Sequence, residues 1–369
     1  MRILENLDAV DPGEWDALAG GNPTLSYAFL DSLHRTGCAS ARSGWKPQYL
    51  TLWNGDTLAG AVPLYLKSHS YGEYVFDWAW ADAYERHGLA YYPKLLAAVP
   101  FTPATGPRLM ALDADIRAEL AKALVEVARG SEVSSLHVLF PPEDDAEALR
   151  SAGMLERRGV QFHWRNDGYA SFEDFLSRLS HDKRKKIRQE RRKVEEAGVT
   201  FRRVTGNEAS IQDWDFFNRC YRRTYAEHRS TPYLNRAFFG MIGERMGEQV
   251  LLVIAEQEGR PIAAALDLFT PAALYGRYWG SVEYVPGLHF EACYYQALEF
   301  CIERGIQRFE GGAQGEHKHA RGFLPEVTRS LHWLAHPAFY KAIDEYLERE
   351  RGGISEYVDE LAERTPFRR

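Results

Sequence analysis

Five polar side chains lie within six residues near the end of the chain, shortly after a pair of glycines. They are Glu316, His317, Lys318, His319 and Arg321. Amide formation by acyl transfer needs a base that takes a proton from the amine and a donor that stabilises the oxyanion. The carboxylate and the imidazoles are candidate bases, and the two cations are candidate donors to an oxyanion or a phosphate. The segment therefore predicts a catalytic loop, with a charged surface loop as the alternative.

The same loop has two histidines one residue apart, which is a spacing that can chelate a metal ion. The ligands would be Glu316, His317 and His319. Protein zinc sites use three or four ligands at recurring spacings, and no such spacing is evident here. We therefore predict no metal, and we interpret these histidines as hydrogen-bonded or solvent-facing.

A second group of acidic and aromatic residues follows Glu73. Its members with predicted substrate-binding roles are Asp77, Trp78, Asp82 and Tyr84. Arg86 follows them and is a further substrate-binding candidate, because its charge could compensate for Glu85 beside a phosphate. Acidic and aromatic side chains together attract a cationic amine. Core packing accounts equally well for the aromatic residues, but buried carboxylates need partners. The group predicts a pocket for an acceptor amine.

The composition changes abruptly between residues 171 and 198, where a basic helix is predicted. Ser171 and Asp174 form a capping-box pattern, and Gly198 ends the helix. Eight cations lie in this helix: Lys183, Arg184, Lys185, Lys186, Arg188, Arg191, Arg192 and Lys193. We predict that Lys185, Arg188 and Arg192 contact a phosphate-bearing ligand such as a tRNA or a nucleotide-linked molecule. The alternative is a solvated helix between domains whose charge is partly balanced by Glu190, Glu195 and Glu196.

The bulk composition limits the class of protein. The chain has 369 residues, 45 Lys and Arg against 52 Asp and Glu, and a net charge of −7. The length favours two domains, and the negative charge excludes a global affinity for nucleic acid or anionic membranes. The four cysteines show no paired spacing, and there is no signal peptide or apolar run long enough to span a membrane. We predict a cytoplasmic protein of unknown oligomeric state.

The two halves of the chain have a similar order of predicted elements. A hairpin at Tyr49–Leu66 turns at Asn54-Gly55, and a second hairpin at Val250–Leu268 turns at Glu258-Gly259. The strands predicted at Tyr74–Trp78 and Leu274–Trp279 follow the two hairpins and are predicted to be equivalent. Each is followed by a loop and a helix, which begins near Tyr91 in the first half. Two amphipathic helices are predicted in the C-terminal tail.

These residues carry a resemblance to a known family. The order of hairpin, strand, helix and strand resembles the GNAT acyltransferase fold, and two such units joined by a KR-rich helix resemble the Fem-like proteins. The segments PLYLKSHSYGEYVFDWAWADAY, YYPKLLAAVPFTPATGPRL and FEGGAQGEHKHARGFLPEVTRSLHW resemble the FemAB-related predicted N-acyltransferases, also called peptidoglycan biosynthesis or recognition proteins. The resemblance implies an α/β fold of two tandem GNAT-like domains with mixed sheets flanked by helices. The implied domains are residues 1–165 and 166–369, the second opening with the basic helix.

The resemblance implies an N-acyltransferase that moves an acyl or aminoacyl group onto an amine, such as a cell-wall precursor or another small amine. The donor would be an acyl-CoA or an aminoacyl-tRNA, with no tightly bound cofactor. Fem-like enzymes have a Phe-Lys pair after the strand and Gly-Gly, whereas here Lys318 precedes Arg321-Gly322-Phe323. The resemblance therefore does not say which cation takes that role.

Binding of CoA has weak support in the sequence. The glycine-loop signature of the fold is matched only loosely by Glu85-Arg86-His87-Gly88-Leu89-Ala90, where a carboxylate replaces the expected Gln or Arg. A second hypothesis is a degenerate GNAT pair that binds a phosphate-bearing or cell-wall ligand without turnover. A nucleic-acid-binding protein is a third, supported by the basic helix alone. Under the first hypothesis we expect the reaction between the two halves, where the Asp77–Arg86 and Gly311–Phe323 loops form a mouth.

Overall fold

A computed structural model describes residues 1–313 and 315–368. The chain forms two compact units: residues 1–160 with 327–359 make the first, and residues 161–326 with 360–369 make the second. Two long strands, Leu155–Arg165 and Leu324–Leu334, contribute residues to both units, and so does the last helix.

The elements up to residue 165 alternate between short helices and strands. In chain order they are β1 (Arg2–Leu4), α1 (Pro12–Leu18), α2 (Tyr27–Arg35), β2 (Trp45–Pro47), β3 (Tyr49–Asn54), β4 (Thr57–Val62), β5 (Leu64–Lys67), α3 (Trp78–Arg86), β6 (Lys94–Ala97), β7 (Met110–Ala111), α4 (Ala114–Gly130), β8 (Ser135–Leu139), α5 (Glu143–Ser151) and β9 (Leu155–Arg165).

The elements after residue 165 begin with two helices, of which the first is capped by the side chain of Ser171. In chain order they are α6 (Phe172–Arg178), α7 (His181–Glu196), β10 (Val199–Thr205), α8 (Ile211–Glu227), α9 (Arg236–Arg245), β11 (Val250–Gln257), β12 (Arg260–Phe269), β13 (Ala273–Ser281), α10 (Leu288–Phe290), α11 (Gln296–Arg304), β14 (Arg308–Glu310), β15 (Leu324–Leu334) and α12 (Pro337–Glu363). Three further segments are 3₁₀ turns at Gly247–Gln249 and Glu316–Arg321 and a π-helical turn at Glu291–Tyr295.

In the first unit, β1, β3, β4 and β7 form a four-stranded sheet, while β15, β8, β6, β5 and β2 follow one another in a second sheet. β6 pairs antiparallel with β5 and parallel with β8. The helix α4 lies between β6 and β8 along the chain, and its Leu120 and Leu124 are fully buried in the core of this unit. A parallel pair with a helical crossover is the feature expected of a GNAT-like domain.

The second unit also contains a parallel pair of strands joined by a helical crossover. Its strands follow the order β10, β11, β12, β13, β14, β9, in which β13 pairs antiparallel with β12 and parallel with β14. The crossover from β13 to β14 runs through α10, the π-helical turn and α11. Gly305 ends α11 in the left-handed conformation at φ 67°, which glycine adopts without strain. The predicted fold class, two tandem GNAT-like α/β domains, is confirmed.

The segment after the first hairpin differs from its prediction. No strand forms at Tyr74–Trp78, where the chain enters α3 instead, and the helix predicted from Tyr91 is the strand β6. Short apolar runs such as Lys94–Ala97 do not distinguish a buried strand from a buried helix by periodicity. β6 is therefore the counterpart of β13, so the predicted equivalence of Tyr74–Trp78 and Leu274–Trp279 is wrong.

The C-terminal tail also differs from its prediction. One continuous helix, α12, replaces the two predicted helices and passes through Gly352-Gly353. Buried Ile343 and Leu347 lie four residues apart and pack with Trp80, Tyr84 and Leu334 in the first unit. This packing stabilises the helix, which continues through the two glycines despite their low helix propensity.

Candidate functional site

The predicted catalytic loop forms a short 3₁₀ turn, Glu316–Arg321, after β14 in the second unit. Three of its side chains point inward: Lys318 is 2% exposed, His319 8% and Arg321 2%, while Glu316 and His317 are exposed. Because a surface loop of solvated charges would not bury two cations, the five residues do not form the charged surface loop considered as the alternative.

Lys318 lies under the glycine pair that precedes the turn. Its Nζ donates a hydrogen bond to the carbonyl oxygen of Gly312 at 3.2 Å. A Cβ atom at Gly311 would lie 3.1 Å from Cδ of the lysine, so the glycine leaves room for the side chain. Burial lowers the pKa of Lys318 to about 8, although the nearby Cys293 thiol opposes this shift. The site thus holds a cation that titrates just above neutral pH.

The guanidinium of Arg321 makes three hydrogen bonds within the protein. Nε donates to the Tyr295 hydroxyl at 2.9 Å, Nη1 to the His317 carbonyl oxygen at 2.7 Å and Nη2 to Oε1 of Glu190 at 2.7 Å. The guanidinium lies 3.4 Å from the centroid of the Phe290 ring. Of the two candidate cations, Lys318 is therefore the better donor to a reacting group.

His317 belongs to a group of rings at the rim of the turn. The Tyr294 hydroxyl lies 3.1 Å from Nε2 of His317, and the rings of His289 and Phe290 lie 6.2 and 5.7 Å from its ring. Burial and the charges of Lys318 and Arg321 lower the pKa of His317, so the imidazole is neutral at pH 7. A neutral, exposed imidazole is a suitable general base.

His319 and Glu316 are less suited to catalysis. The His319 ring packs 6.2 Å from that of Phe162, and its pKa is lowered chiefly by burial. Its Nε2 is buried without a hydrogen-bond partner among the described residues. Glu316 is exposed at the first position of the turn. The turn therefore separates an outward His317 from an inward His319.

The basic helix α7 presents one cationic face to a cavity of about 620 Å³. The lining residues fall at steps of three and four: His181, Arg184, Lys185, Arg188, Gln189 and Arg192. The structure thus brings together the three residues predicted to bind phosphate. Arg188 is partly neutralised by Glu173, whose Oε2 accepts from its Nη2 at 2.5 Å. Lys185 and Arg192 make no ion pair with another described residue.

The opposite face of α7 packs on the segment that carries the candidate site. Arg191 donates to Oε1 and Oε2 of Glu291 at 3.0 and 3.1 Å and to Glu299 at 2.7 Å. Glu190 accepts from Arg321 and from the Tyr295 hydroxyl. The sequence does not indicate these contacts, since it predicts for Glu190 only that it balances part of the positive charge of the basic helix. The π-helical turn, which contains Glu291 and Tyr295, gave no signal in the sequence.

In the first unit, the predicted acceptor residues divide between the two faces of α3. Tyr84 is buried, with its ring 4.0 Å from that of Phe339, whereas Trp78 is 39% exposed and Asp82 and Arg86 face solvent. Asp77 is buried at the N-cap position. A helix in place of the predicted loop causes this division, and binding of an amine by these residues stays a prediction.

Asp77 belongs to a buried ion network that the sequence did not reveal. Lys94 Nζ donates to Oδ2 of Asp77 at 2.5 Å, to Oε2 of Glu73 at 2.7 Å and to the Ser70 hydroxyl at 2.8 Å. Lys67 lies 3.8 Å from Oε1 of Glu73. Burial opposes ionisation of Asp77, but the charge of Lys94 and the hydrogen bonds from Lys94 and Tyr91 outweigh it and lower the pKa of Asp77 to about 2. The carboxylate is thus already paired with a cation of the protein.

Two buried histidines extend this network. Tyr91 donates from its hydroxyl to Asp77 at 2.6 Å and lies 3.1 Å from Nε2 of His137, while Nδ1 of His137 lies 2.7 Å from Nδ1 of His332. Because burial lowers the pKa of both imidazoles, both are neutral and only one of the two Nδ1 atoms carries a proton. The pairs link residues 195 positions apart into one rigid polar network.

The fold of the chain has counterparts among solved structures. Among the solved structures that resemble the chain is a crystal structure of FemX, with 10% identity and a TM-score of 0.56; the match covers 93% of this chain and 100% of that one. L-PGS from Bacillus licheniformis has 9% identity and a TM-score of 0.54, with 92% of this chain and 97% of that one covered. A conserved protein of unknown function from Bacteroides thetaiotaomicron VPI-5482 has 12% identity and a TM-score of 0.52, with 89% of this chain and 98% of that one covered. At these identities the likeness concerns the fold.

The sequence itself is matched by one family. The model for FemAB-like proteins, described as peptidoglycan biosynthesis/recognition, covers residues 6–369. No curated protein matches the sequence. No helix among the described residues is both long and apolar enough to cross a membrane. The chain belongs to the FemAB-like family, as the resemblance predicted.

Proposed function

We propose that this FemAB-like chain is an N-acyltransferase that moves an acyl or aminoacyl group onto an amine of a cell-wall precursor or a similar small molecule. The observation that carries the proposal is the turn after β14, where buried Lys318 lies beside exposed His317. A base and a cation at one strand end are the two groups that amide formation requires. The donor is an acyl-CoA or an aminoacyl-tRNA, and no tightly bound cofactor takes part.

In the proposed reaction, the neutral His317 takes a proton from the acceptor amine as its nitrogen attacks the donor carbonyl. If Nε2–H donates to the Tyr294 oxygen, Nδ1 is free to act as the base. Lys318 then stabilises the oxyanion of the tetrahedral intermediate. The C–N bond is complete when the C–S or C–O bond to the donor breaks, and the imidazolium returns its proton to the leaving thiolate or alkoxide.

Replacement of His317 by glutamine should remove the acid limb of the pH–rate profile. Because the pKa of His317 is lowered, we expect the parent rate to rise with pH and to reach half its plateau below pH 6.5. The same change at His319 serves as the control, since that ring is buried. A parent and a His317→Gln variant with identical acid limbs would exclude His317 as the base.

We further propose that the cationic face of α7 holds a phosphate group of the donor or the acceptor. The cavity of about 620 Å³ beside this face has room for a phosphate group and the atoms attached to it. Lys185 and Arg192 supply charge that no described acidic side chain neutralises. These two residues, with Arg188, are the candidate contacts to a tRNA or a nucleotide-linked ligand.

Charge reversal at Lys185 and Arg192 should weaken binding of a phosphate-bearing probe such as inorganic triphosphate by about tenfold or more. The affinity of the variant should also depend less on salt concentration than that of the parent, because fewer charge contacts are left for salt to screen. The measurement is titration calorimetry at several salt concentrations. Lys186→Glu with Lys193→Glu is the matched control, because it changes the net charge of α7 equally outside the cavity face. Equal weakening by both pairs would show that the net charge of α7 matters and the cavity does not.

The alternative is a module that binds a phosphate-bearing or cell-wall ligand without turnover, which the family description also allows. Purified protein should be screened with acyl-CoAs and charged tRNAs, supplied with candidate amines, by mass spectrometry and thermal shift. Our proposal expects an acylated amine in at least one mixture. A donor that raises the melting temperature yet stays unreacted with every amine would favour the module.

A further inference from the structure

We propose that Glu190 is a positioning residue that couples occupancy of the cationic face of α7 to the turn that carries Lys318. This inference rests on the phosphate site proposed above. Glu190 lies nine residues after His181, which places it on the side of the helix opposite the cavity. One rigid helix thus presents a ligand face outward and this carboxylate inward.

The contacts of Glu190 define a direct path to the turn. Its Oε1 accepts from Nη2 of Arg321 at 2.7 Å, and its Oε2 accepts from the Tyr295 hydroxyl. Arg321 also donates to the Tyr295 hydroxyl at 2.9 Å. Each of the three groups therefore contacts the other two, and a displacement of α7 cannot leave Arg321 in place.

Arg321 in turn fixes the shape of the 3₁₀ turn. Its Nη1 donates to the carbonyl oxygen of His317, the residue before Lys318. The backbone bonds at the ends of the turn include Lys318 N–H to Gly315 O at 3.0 Å and Gly322 N–H to His319 O at 3.1 Å. Arg321 therefore joins the carbonyl group just before Lys318 to Glu190 of α7.

The ion pair is well placed for this role because solvent is largely excluded. The side chains of Arg321 and Glu190 are 3% and 15% exposed. Removing the charge of one partner in a buried ion pair destabilises the protein, because the other charge stays buried without compensation. The two side chains are therefore held close together. By contrast, Glu195 and Glu196 on the same helix are exposed. An anion on the outer face that steadies α7 should consequently steady the turn.

The test measures amide hydrogen exchange in residues 315–323 with and without saturating inorganic triphosphate, in low salt. In the parent protein, triphosphate should slow exchange in this segment about threefold or more. Glu190→Gln should bind triphosphate within about twofold of the parent affinity and lose that protection. Lys185→Glu with Arg192→Glu should lose both binding and protection. Glu196→Gln is the matched control and should behave as the parent.

Two results would overturn the inference: no protection of the turn in the parent at saturation, or undiminished protection in Glu190→Gln. A through-space effect of the bound anion would survive that substitution, so the variant separates it from the contact path. Should Glu190→Gln not fold, Tyr295→Phe removes one of the two bonds to the carboxylate and should reduce the protection. The experiment does not measure acyl transfer. A protein without transferase activity can therefore still show the coupling, and an active transferase can lack it, so the two proposals fail independently.

Discussion

Replacement of Lys318 by methionine should lower turnover about a hundredfold or more, the usual cost of losing one oxyanion donor. The melting temperature should stay at or above that of the parent, because methionine fills a similar volume and removes a buried charge. Steady-state rates and thermal unfolding of the same preparations test both expectations. Lys341→Met, which removes an exposed lysine of α12, is the control.

The pH dependence separates the roles open to Lys318. Since its pKa is about 8, the cation is present below pH 8 and is lost above it. If the cation stabilises the oxyanion, the rate falls as pH rises through 8, and Lys318→Arg moves that limb to higher pH because arginine stays protonated. A rate that instead rises through pH 8 would make the neutral amine the base, and an unchanged rate in Lys318→Met would move the active site elsewhere.

Replacement of Lys94 by alanine should lower the free energy of unfolding at pH 7 by about 3–5 kcal/mol, because it leaves Glu73 and Asp77 buried without their cation. Burial opposes the charge of Lys94, but the two carboxylates outweigh it and raise its pKa. The stabilising charge is therefore present at neutral pH and is lost only as pH rises through that raised pKa. Denaturant titration of the variant measures the change.

The matched comparison is Lys46→Ala, which breaks an exposed ion pair with Glu5 at 2.6 Å. Exposed pairs contribute little, so the expected loss is about 0.5 kcal/mol or less. A Lys94→Met variant that also carries Glu73→Gln and Asp77→Asn should regain much of the lost stability. A loss at Lys94 no larger than that at Lys46 would mean that the network is solvated.

The sequence predicted well those features that depend on neighbouring residues. The hairpin around Asn54-Gly55, the N-cap of α6 at Ser171 and the end of α7 before Gly198 are each encoded within a few positions. The cationic face of α7 was also predictable, because helical spacing alone brings Lys185, Arg188 and Arg192 together. Local rules therefore predict which side chains share a face of α7, and binding of a phosphate by that face stays a prediction.

Features that depend on distant residues were not predictable. Glu190 and Arg321 are 131 positions apart, and nothing in a run of balanced charges singles out the one glutamate that faces inward. Lys94 belongs to an apolar run whose periodicity fits either a strand or a helix, so its partnership with Asp77 was hidden. Residues whose role is set by a buried partner can be identified only once the fold brings that partner near.

The π-helical turn at Glu291–Tyr295 has a consequence for comparing related chains. A π turn holds one residue more than an α turn, so it behaves as a single-residue insertion in the helix. Deleting one residue there would rotate Leu288–Phe290 by about 100° against α11 and carry Phe290 away from the guanidinium of Arg321. A one-residue gap at this point of an alignment would therefore mark relatives that cannot hold the turn around Lys318 in the same way, even where the lysine itself is kept.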